Sequence, residues 1–252
     1  MKKQVLIISF LALAFVGCSL AKTAEFKGKI ASVKVIIDGS KTKVAHRDCY
    51  TFFSAPIGSE YTLRITNHSG KRILVVPTVD GINAIDRSEG NWDGSGYVID
   101  AYDHVDVKGF RREDDFQHVQ RFTFNEARFS LAERIGNVQN VGVIGAAVFK
   151  EYEPPRYTQL AKNMRCCDSA MPTAKKSRCE SESRAGTEPG RTVNDPVRKV
   201  RFQRATDIPA EILALYYDKE ENLISEGILP PPYDPPPKGF LTPFPSNYAR
   251  GN

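Results

Sequence analysis

Apolar and polar residues alternate in Ser32-Val33-Lys34-Val35 and again in Tyr61-Thr62-Leu63-Arg64-Ile65-Thr66. A period of two places Tyr61, Leu63 and Ile65 on one face of a strand and Thr62, Arg64 and Thr66 on the other. Asn67-His68-Ser69-Gly70 is turn chemistry and the apolar run at residues 73–79 follows it, so these two strands are expected to pair as a hairpin. Asp80-Gly81 marks the next tight turn, because both residues tolerate positive φ. Short strands are expected at 97–101, 105–108 and 121–124, where Val105 and Val107 share a face, as do Phe122 and Phe124. Residues 141–149 are apolar on both faces, as in a central, covered strand, and Gly142 and Gly145 within it point to close approach by a neighbour. A modest helix is expected over 126–135, with Gly136 placed to end it. Many short strands with regular turns predict a mainly β fold, an antiparallel β-sandwich with one or two short helices and a long irregular insertion.

The insertion begins where Glu153-Pro154-Pro155 breaks the last strand. Residues 162–191 are polar, basic and nearly free of large apolar side chains, as in a long loop tied down by its cysteines. Lys175-Lys176-Ser177-Arg178 within it is read as a solvated run, too short for an anion-binding footprint. Order is expected again at 197–202, where Val200 and Phe202 alternate with Lys199 and Arg201. Residues 212–217 suit a helix by composition and a strand by the alternation of Leu213, Leu215 and Tyr217; residues 219–226, before Gly227, suit a short helix. The tail carries Pro230-Pro231-Pro232 and Pro235-Pro236-Pro237, so it is excluded from a sheet interior and expected to run extended, as a spacer or as a docking ligand.

The N-terminus reads as an export signal. Lys2 and Lys3 precede an apolar run at 5–16, shorter than the roughly 20 residues a membrane span needs. Phe15-Val16-Gly17-Cys18 resembles the lipobox of bacterial lipoproteins, with Phe15 where leucine is usual, so Cys18 is the candidate lipidation site. Ser19-Leu20-Ala21 offers the alternative, cleavage that releases a soluble protein. The chain then divides into a leader at 1–21 (or 1–17 if Cys18 is lipidated), a sandwich core at 25–150 and a cysteine-containing loop at 151–195. Additional strands and a short helix at 196–228 pack on the core, and a proline-rich tail occupies 229–252. An exported protein, periplasmic or anchored at the outer membrane through lipid, is expected.

A hydrophobic content of 41% over 252 residues supports a sizeable core, and the formal charge of +5, two units of it in the leader, is spread too thinly to predict nucleic-acid binding. Beyond Cys18 there are four cysteines, Cys49, Cys166, Cys167 and Cys179. Neighbours bridge poorly, so a disulfide from Cys179 to Cys166 or Cys167, with the other reaching Cys49, is the favoured arrangement in an oxidising compartment. No CxxC pair is present, and neither a metal nor a cofactor is expected.

Several phrases together, Tyr61-Thr62-Leu63-Arg64-Ile65-Thr66-Asn67-His68-Ser69-Gly70, Val79-Asp80-Gly81-Ile82-Asn83, Gly96-Tyr97-Val98-Ile99-Asp100, Gly109-Phe110-Arg111 and Asn140-Val141-Gly142-Val143-Ile144-Gly145, resemble an uncharacterised family of bacterial proteins. Gly186-Thr187, Pro196-Val197 and Leu213-Ala214-Leu215-Tyr216-Tyr217 are similar to its later segment. The resemblance covers patches of residues 60–228. It implies one compact β-rich unit with a strand at 212–217 and brings no activity or site residue. Pro77 departs from it, at a position where a residue able to pair is expected.

Candidate chemistry is sparse. There is no GxSxG, no HExxH and no glycine-rich phosphate loop. In His46-Arg47-Asp48-Cys49 the cysteine would face away from the histidine on a strand, so Cys49 is read as structural. Asp86, Glu89, Asn91, Asp93 and Ser95 offer oxygen ligands, and turn chemistry explains the same residues. Asp100, Asp103, His104 and Asp106 could serve a metal-dependent or acid–base hydrolase if burial separated their pKa values. Arg111, Arg112, Glu113, Asp114 and Asp115 read as a self-neutralising, solvated loop. Trp92, Tyr97, Tyr102 and Phe110 either form an aromatic surface for a glycan or peptide or cover one end of the sandwich. The preferred expectation is a non-catalytic binding or scaffolding sandwich whose contact surface is formed by Asp80, Asn83, Trp92, Asp93 and Tyr97 and meets an envelope protein or surface glycan. The other expectations are the hydrolase and a tethered assembly subunit docking through the proline-rich tail.

Overall fold

The computed structural model describes residues 19–21, 23–112, 115–154 and 184–231. Its strands run as β1 (Ser19–Ala21), β2 (Thr23–Lys27), β3 (Ala31–Ile37), β4 (Thr42–Arg47), β5 (Tyr50–Ser54), β6 (Glu60–Asn67) and β7 (Ile73–Val79). Next come β8 (Ile82–Asn83), β9 (Tyr97–Ile99), β10 (His104–Val107), β11 (Gly109–Arg111) and β12 (His118–Glu126). A short helix, α1 (Leu131–Arg134), precedes β13 (Val143–Lys150), β14 (Ala185–Asn194), β15 (Glu211–Asp218) and helix α2 (Glu220–Ser225).

Two sheets result. The first has the order β1-β4-β5-β15-β13-β7-β8, with β9 also on β7; the second has the order β11-β12-β6-β3-β2, with β10 on β6 and β14 on β12. Among the described residues the pairings are antiparallel except β15 on β5. The sheets pack face to face as the expected β-sandwich. Alternation sets the core: Tyr61, Leu63 and Ile65 of β6 are fully buried against residues such as Val35, Ile144 and Leu215. Their partners Thr62, Arg64 and Thr66 are only half-buried. β13 lies between β15 and β7, central as its two apolar faces require. Residues 212–217 form the strand β15, and 220–225 the helix α2. Among the described residues no helix is long and apolar enough to cross a membrane.

Three expectations are corrected. First, β6 and β7 do not form a hairpin. Residues 67–70 carry the chain from the second sheet to the first, held by Asn67, whose Nδ2 donates to the Lys71 and Asp100 carbonyls. The reason lies in burial: β7 is buried on nearly every residue and takes a place covered on both faces, whereas β6 alternates. Second, the end of the supposed loop at 151–195 is a ten-residue strand, β14, paired to β12 across a register shift between Gln120 and Phe122. Third, residues 197–202 form no strand but an irregular strap. Pro77 leaves the ladder with β13 intact. Its carbonyl accepts from the Ala84 N–H on the opposite edge, where its own missing N–H would also have pointed, into the gap between β8 and β9.

The leader, Cys18, Cys166, Cys167, Cys179 and the tail beyond residue 231 lie outside the described residues. Cys49 is exposed and free at the β4–β5 turn, so no disulfide is formed among the described residues.

One glycine is decisive for the second sheet. A Cβ at Gly109 would lie 1.9 Å from the Gln120 carbonyl oxygen, a rigid backbone atom of β12. Gly109→Ala is therefore expected to prise β11 from β12 and cost about 3 kcal/mol, read as a lowered urea midpoint with the far-ultraviolet circular dichroism of the remaining sheets retained.

Candidate functional site

Each sheet ends in a short strand on the same side of the sandwich. β9 is held by β7 in the first sheet, and β10 and β11 are held by β6 and β12 in the second. Between them the seam is not closed by a strand. Tyr97 of β9 and Val105 of β10 pack against the core from this side. Across the opening lies the strap. Its start is fixed by the Asp195 and Val197 N–H groups donating to the Gln117 and Phe116 carbonyls. Its end is fixed by the Tyr152 N–H donating to the Gln203 carbonyl and the Ala205 N–H to the Lys150 carbonyl.

A groove of about 1050 Å³ remains between strap and seam. Leu74 and Val98 of the first sheet, Val105 of the second, and Val197, Val200 and Phe202 of the strap give it an apolar lining. Five cations, Arg72, Arg111, Arg198, Lys199 and Arg204, also line it, against one carboxylate, Asp100. Three of the five are neutralised: Arg72 by Glu151, Arg111 by Asp195 at 2.8 Å and Arg204 by Asp93 at 3.3 Å. Arg198 and Lys199 have no carboxylate partner among the described residues; the Lys199 ammonium stands 4.8 Å from the centre of the Phe116 ring.

The floor is unusual. The Arg111 side chain is only 2% exposed. Its Nη1 donates to the carbonyls of Asp195, Asp115 and His118 and its Nη2 to the Asp195 carboxylate, yet its Nε lacks a partner among the described residues. The Tyr97 hydroxyl is likewise buried and has no well-aligned partner among them, although the Arg111 side chain lies close enough to bond it. Burial raises the Tyr97 phenol, and the adjacent Arg111 charge works against that rise. Arg111 and Tyr97 thus lie side by side beneath a basic, apolar groove, with the Arg111 Nε and the Tyr97 hydroxyl sealed from the groove's own space. Unmet buried polar groups normally cost stability, and they gather where function is served.

The sequence-derived surface is divided by the structure. Tyr97 lines the groove. Trp92 packs beside Val98 and Phe202 on the outer face of the first sheet, and Asp93 tethers the strap through Arg204. Asp80 and Asn83, by contrast, are buried at 1% and 0% exposure and cannot meet a partner. Asn83 holds its own loop, donating from Nδ2 to the Ser95 carbonyl and accepting from the Ile85 N–H.

Asp80 is the acceptor of an inter-sheet polar pin. Its Oδ1 accepts from the Gly142 N–H and the Tyr217 hydroxyl, and its Oδ2 from the Thr187 N–H. The Thr187 hydroxyl lies 2.7 Å from both Tyr217 and Tyr61. A single direction of donation, Tyr61 to Thr187 to Tyr217 to Asp80, satisfies every member. Burial raises the Asp80 carboxyl to about 6 despite these donors.

The other sequence candidates do not assemble. Asp103 and His104 are exposed, and Asp106 is bound in bidentate fashion by Arg64, which holds its carboxyl below the usual range, the wrong direction for a general acid. Asp86 accepts from the Ser88 N–H and hydroxyl, as a turn residue does, and no metal-holding group occurs among the described residues. His46 Nδ1 pairs with the Thr51 hydroxyl rather than with Cys49. The aromatic four do not form a platform, since Phe110 is fully buried and Tyr102 is 75% exposed. Arg111, taken from sequence as part of a solvated loop, is the residue most clearly missed. Its one signal is its place in Gly109-Phe110-Arg111, where the strand continues one residue further than the charges suggest. Comparison with protein-family models, with curated proteins and with solved structures found no match, leaving the groove's own geometry to carry the reading.

Proposed function

We propose that this chain is an exported, non-catalytic β-sandwich that binds a ligand in the groove beneath the strap. The observation that carries the binding reading is a cavity of ligand size, about 1050 Å³, whose apolar lining is joined by two cations, Arg198 and Lys199, that have no carboxylate partner among the described residues. Catalysis is disfavoured because, among the described residues, no nucleophile–base pair or convergent carboxylates face the same space.

Export is supported by the leader of Lys2, Lys3 and residues 5–16. Lipidation at Cys18 rather than cleavage after Ala21 is supported by β1, since Ser19–Ala21 pairs with residues 42–44 of β4 and cleavage after Ala21 would discard that strand.

Intact mass of the protein isolated from host membranes tests the first part. The expected result is loss of residues 1–17 and a mass increment of diacylglyceryl and acyl groups; leader-bearing protein in the cytosol would contradict it. Native mass spectrometry of envelope-purified protein tests the second. A small molecule is expected to co-purify with the native chain and to be lost from Val98→Trp, which fills the groove. Equal retention in that variant would count against the groove.

A further inference from the structure

Within the groove, apolar side chains come from both walls, but the cations without a carboxylate partner among the described residues come from the strap alone. The apolar side chains Leu74, Val98 and Val105 belong to the sheet edges at the seam, whereas the uncompensated cations Arg198 and Lys199 belong to the strap at the mouth. The strap backbone from 198 to 202 makes no backbone hydrogen bond among the described residues, so it can shift to admit a ligand while its two anchored ends hold. Val200, on the same strap, is 47% exposed. A compact polar anion would leave the apolar seam uncovered. A neutral hydrocarbon would leave the two cations without a counter-charge.

We infer that the groove takes an amphipathic anion of the long-chain carboxylate type. Its hydrocarbon body lies along Leu74, Val98, Val105 and Phe202, and its anionic head is received by Arg198 and Lys199. The inference rests on the proposed role of the groove as the binding face and adds the ligand class to it. The geometry favours a single acyl chain over an acidic peptide, because the seam offers side chains from two sheet edges for a linear apolar body.

Isothermal titration of the full mature chain with laurate below its micellar concentration tests this, with dodecan-1-ol, inorganic phosphate and an acidic hexapeptide as parallel probes. Laurate is expected to bind, dodecan-1-ol about tenfold more weakly, as loss of one charge-assisted contact implies, and phosphate not measurably. In the double variant Arg198→Ser with Lys199→Ser, both on an exposed segment and safe for folding, laurate is expected to weaken by about tenfold to the level of the alcohol. Laurate unaffected by the double variant, or no tighter than dodecan-1-ol, overturns the inference. So does phosphate or the peptide binding as well as laurate, although that result keeps the groove as a binding face. If no probe binds and Val98→Trp releases nothing from envelope-purified protein, both readings fall together.

Discussion

Asp80→Ala is expected to lower unfolding stability by about 3–5 kcal/mol, the largest single loss in the molecule. The change strands three buried donors at once, the Gly142 and Thr187 N–H groups and the Tyr217 hydroxyl. It also removes the terminal acceptor of the polar chain that runs from Tyr61 of β6 through Thr187 of β14 to Tyr217 of β15, so chemical denaturation is the measurement to make. The same carboxyl gives a pH signature. Its pKa of about 6 in the fold lies above 3.8 for the free group, so the folded state binds the proton more tightly than the unfolded state. The associated stability is complete below about pH 4 and is lost as pH rises through about 6, a fall of about 3 kcal/mol. Glu60, Asp106 and Glu151 are held low by arginines, so stability from them is lost as pH falls below about 5, opposite in sign to the Asp80 contribution and overlapping only the acid end of that window. Asp80→Asn is expected to abolish the loss between pH 4 and 6, with a smaller penalty, about 1–3 kcal/mol, for turning an amide N–H₂ toward a backbone donor.

Arg111→Met is expected to cost about 3 kcal/mol in the same assay. Removing one member of a buried ion pair leaves its partner uncompensated, and three backbone carbonyls lose their donor here as well. The loss stays at the lower end of the usual range because Lys108 remains 3.0 Å from Asp195. Asp195 anchors the start of the strap, so the variant should also speed proteolysis within 195–204 while leaving β4 and β5 protected. Normal stability with an undisturbed strap would show that Arg111 is not the strut of the groove floor.

The sandwich was legible because half-buried strands write their two faces into alternate residues, as Tyr61, Leu63 and Ile65 do. The Asp80-Gly81 turn was legible for a backbone reason: both residues have positive φ, at 54° and 75°. Strand partners were not legible. Nothing local to Asn67-His68-Ser69-Gly70 distinguishes a hairpin turn from a crossing between sheets; the all-round burial of β7 decides it. β14 escaped because its sequence, with Pro189 and Gly190 beside the register shift, lacks an apolar face, and it is secured by length of pairing to β12 instead. For the site, Tyr97 and the loop bearing Trp92 and Asp93 were visible as polar and aromatic residues in a turn-rich stretch. Asp80 and Asn83 misled because turn residues that support a loop look like those that present it. Arg111 and the strap cations were hidden because burial and convergence are properties of the assembled seam.

The central claim, that this sandwich binds through the seam beneath its strap, is tested most directly by amide hydrogen exchange of the mature protein in buffer and in host envelope extract. The account predicts slowed exchange at residues 97–99 and 198–202, whose strap amides lack backbone partners when alone, with the β4–β5 hairpin unchanged. Protection confined to other surfaces, or none at all in these two stretches, would contradict it.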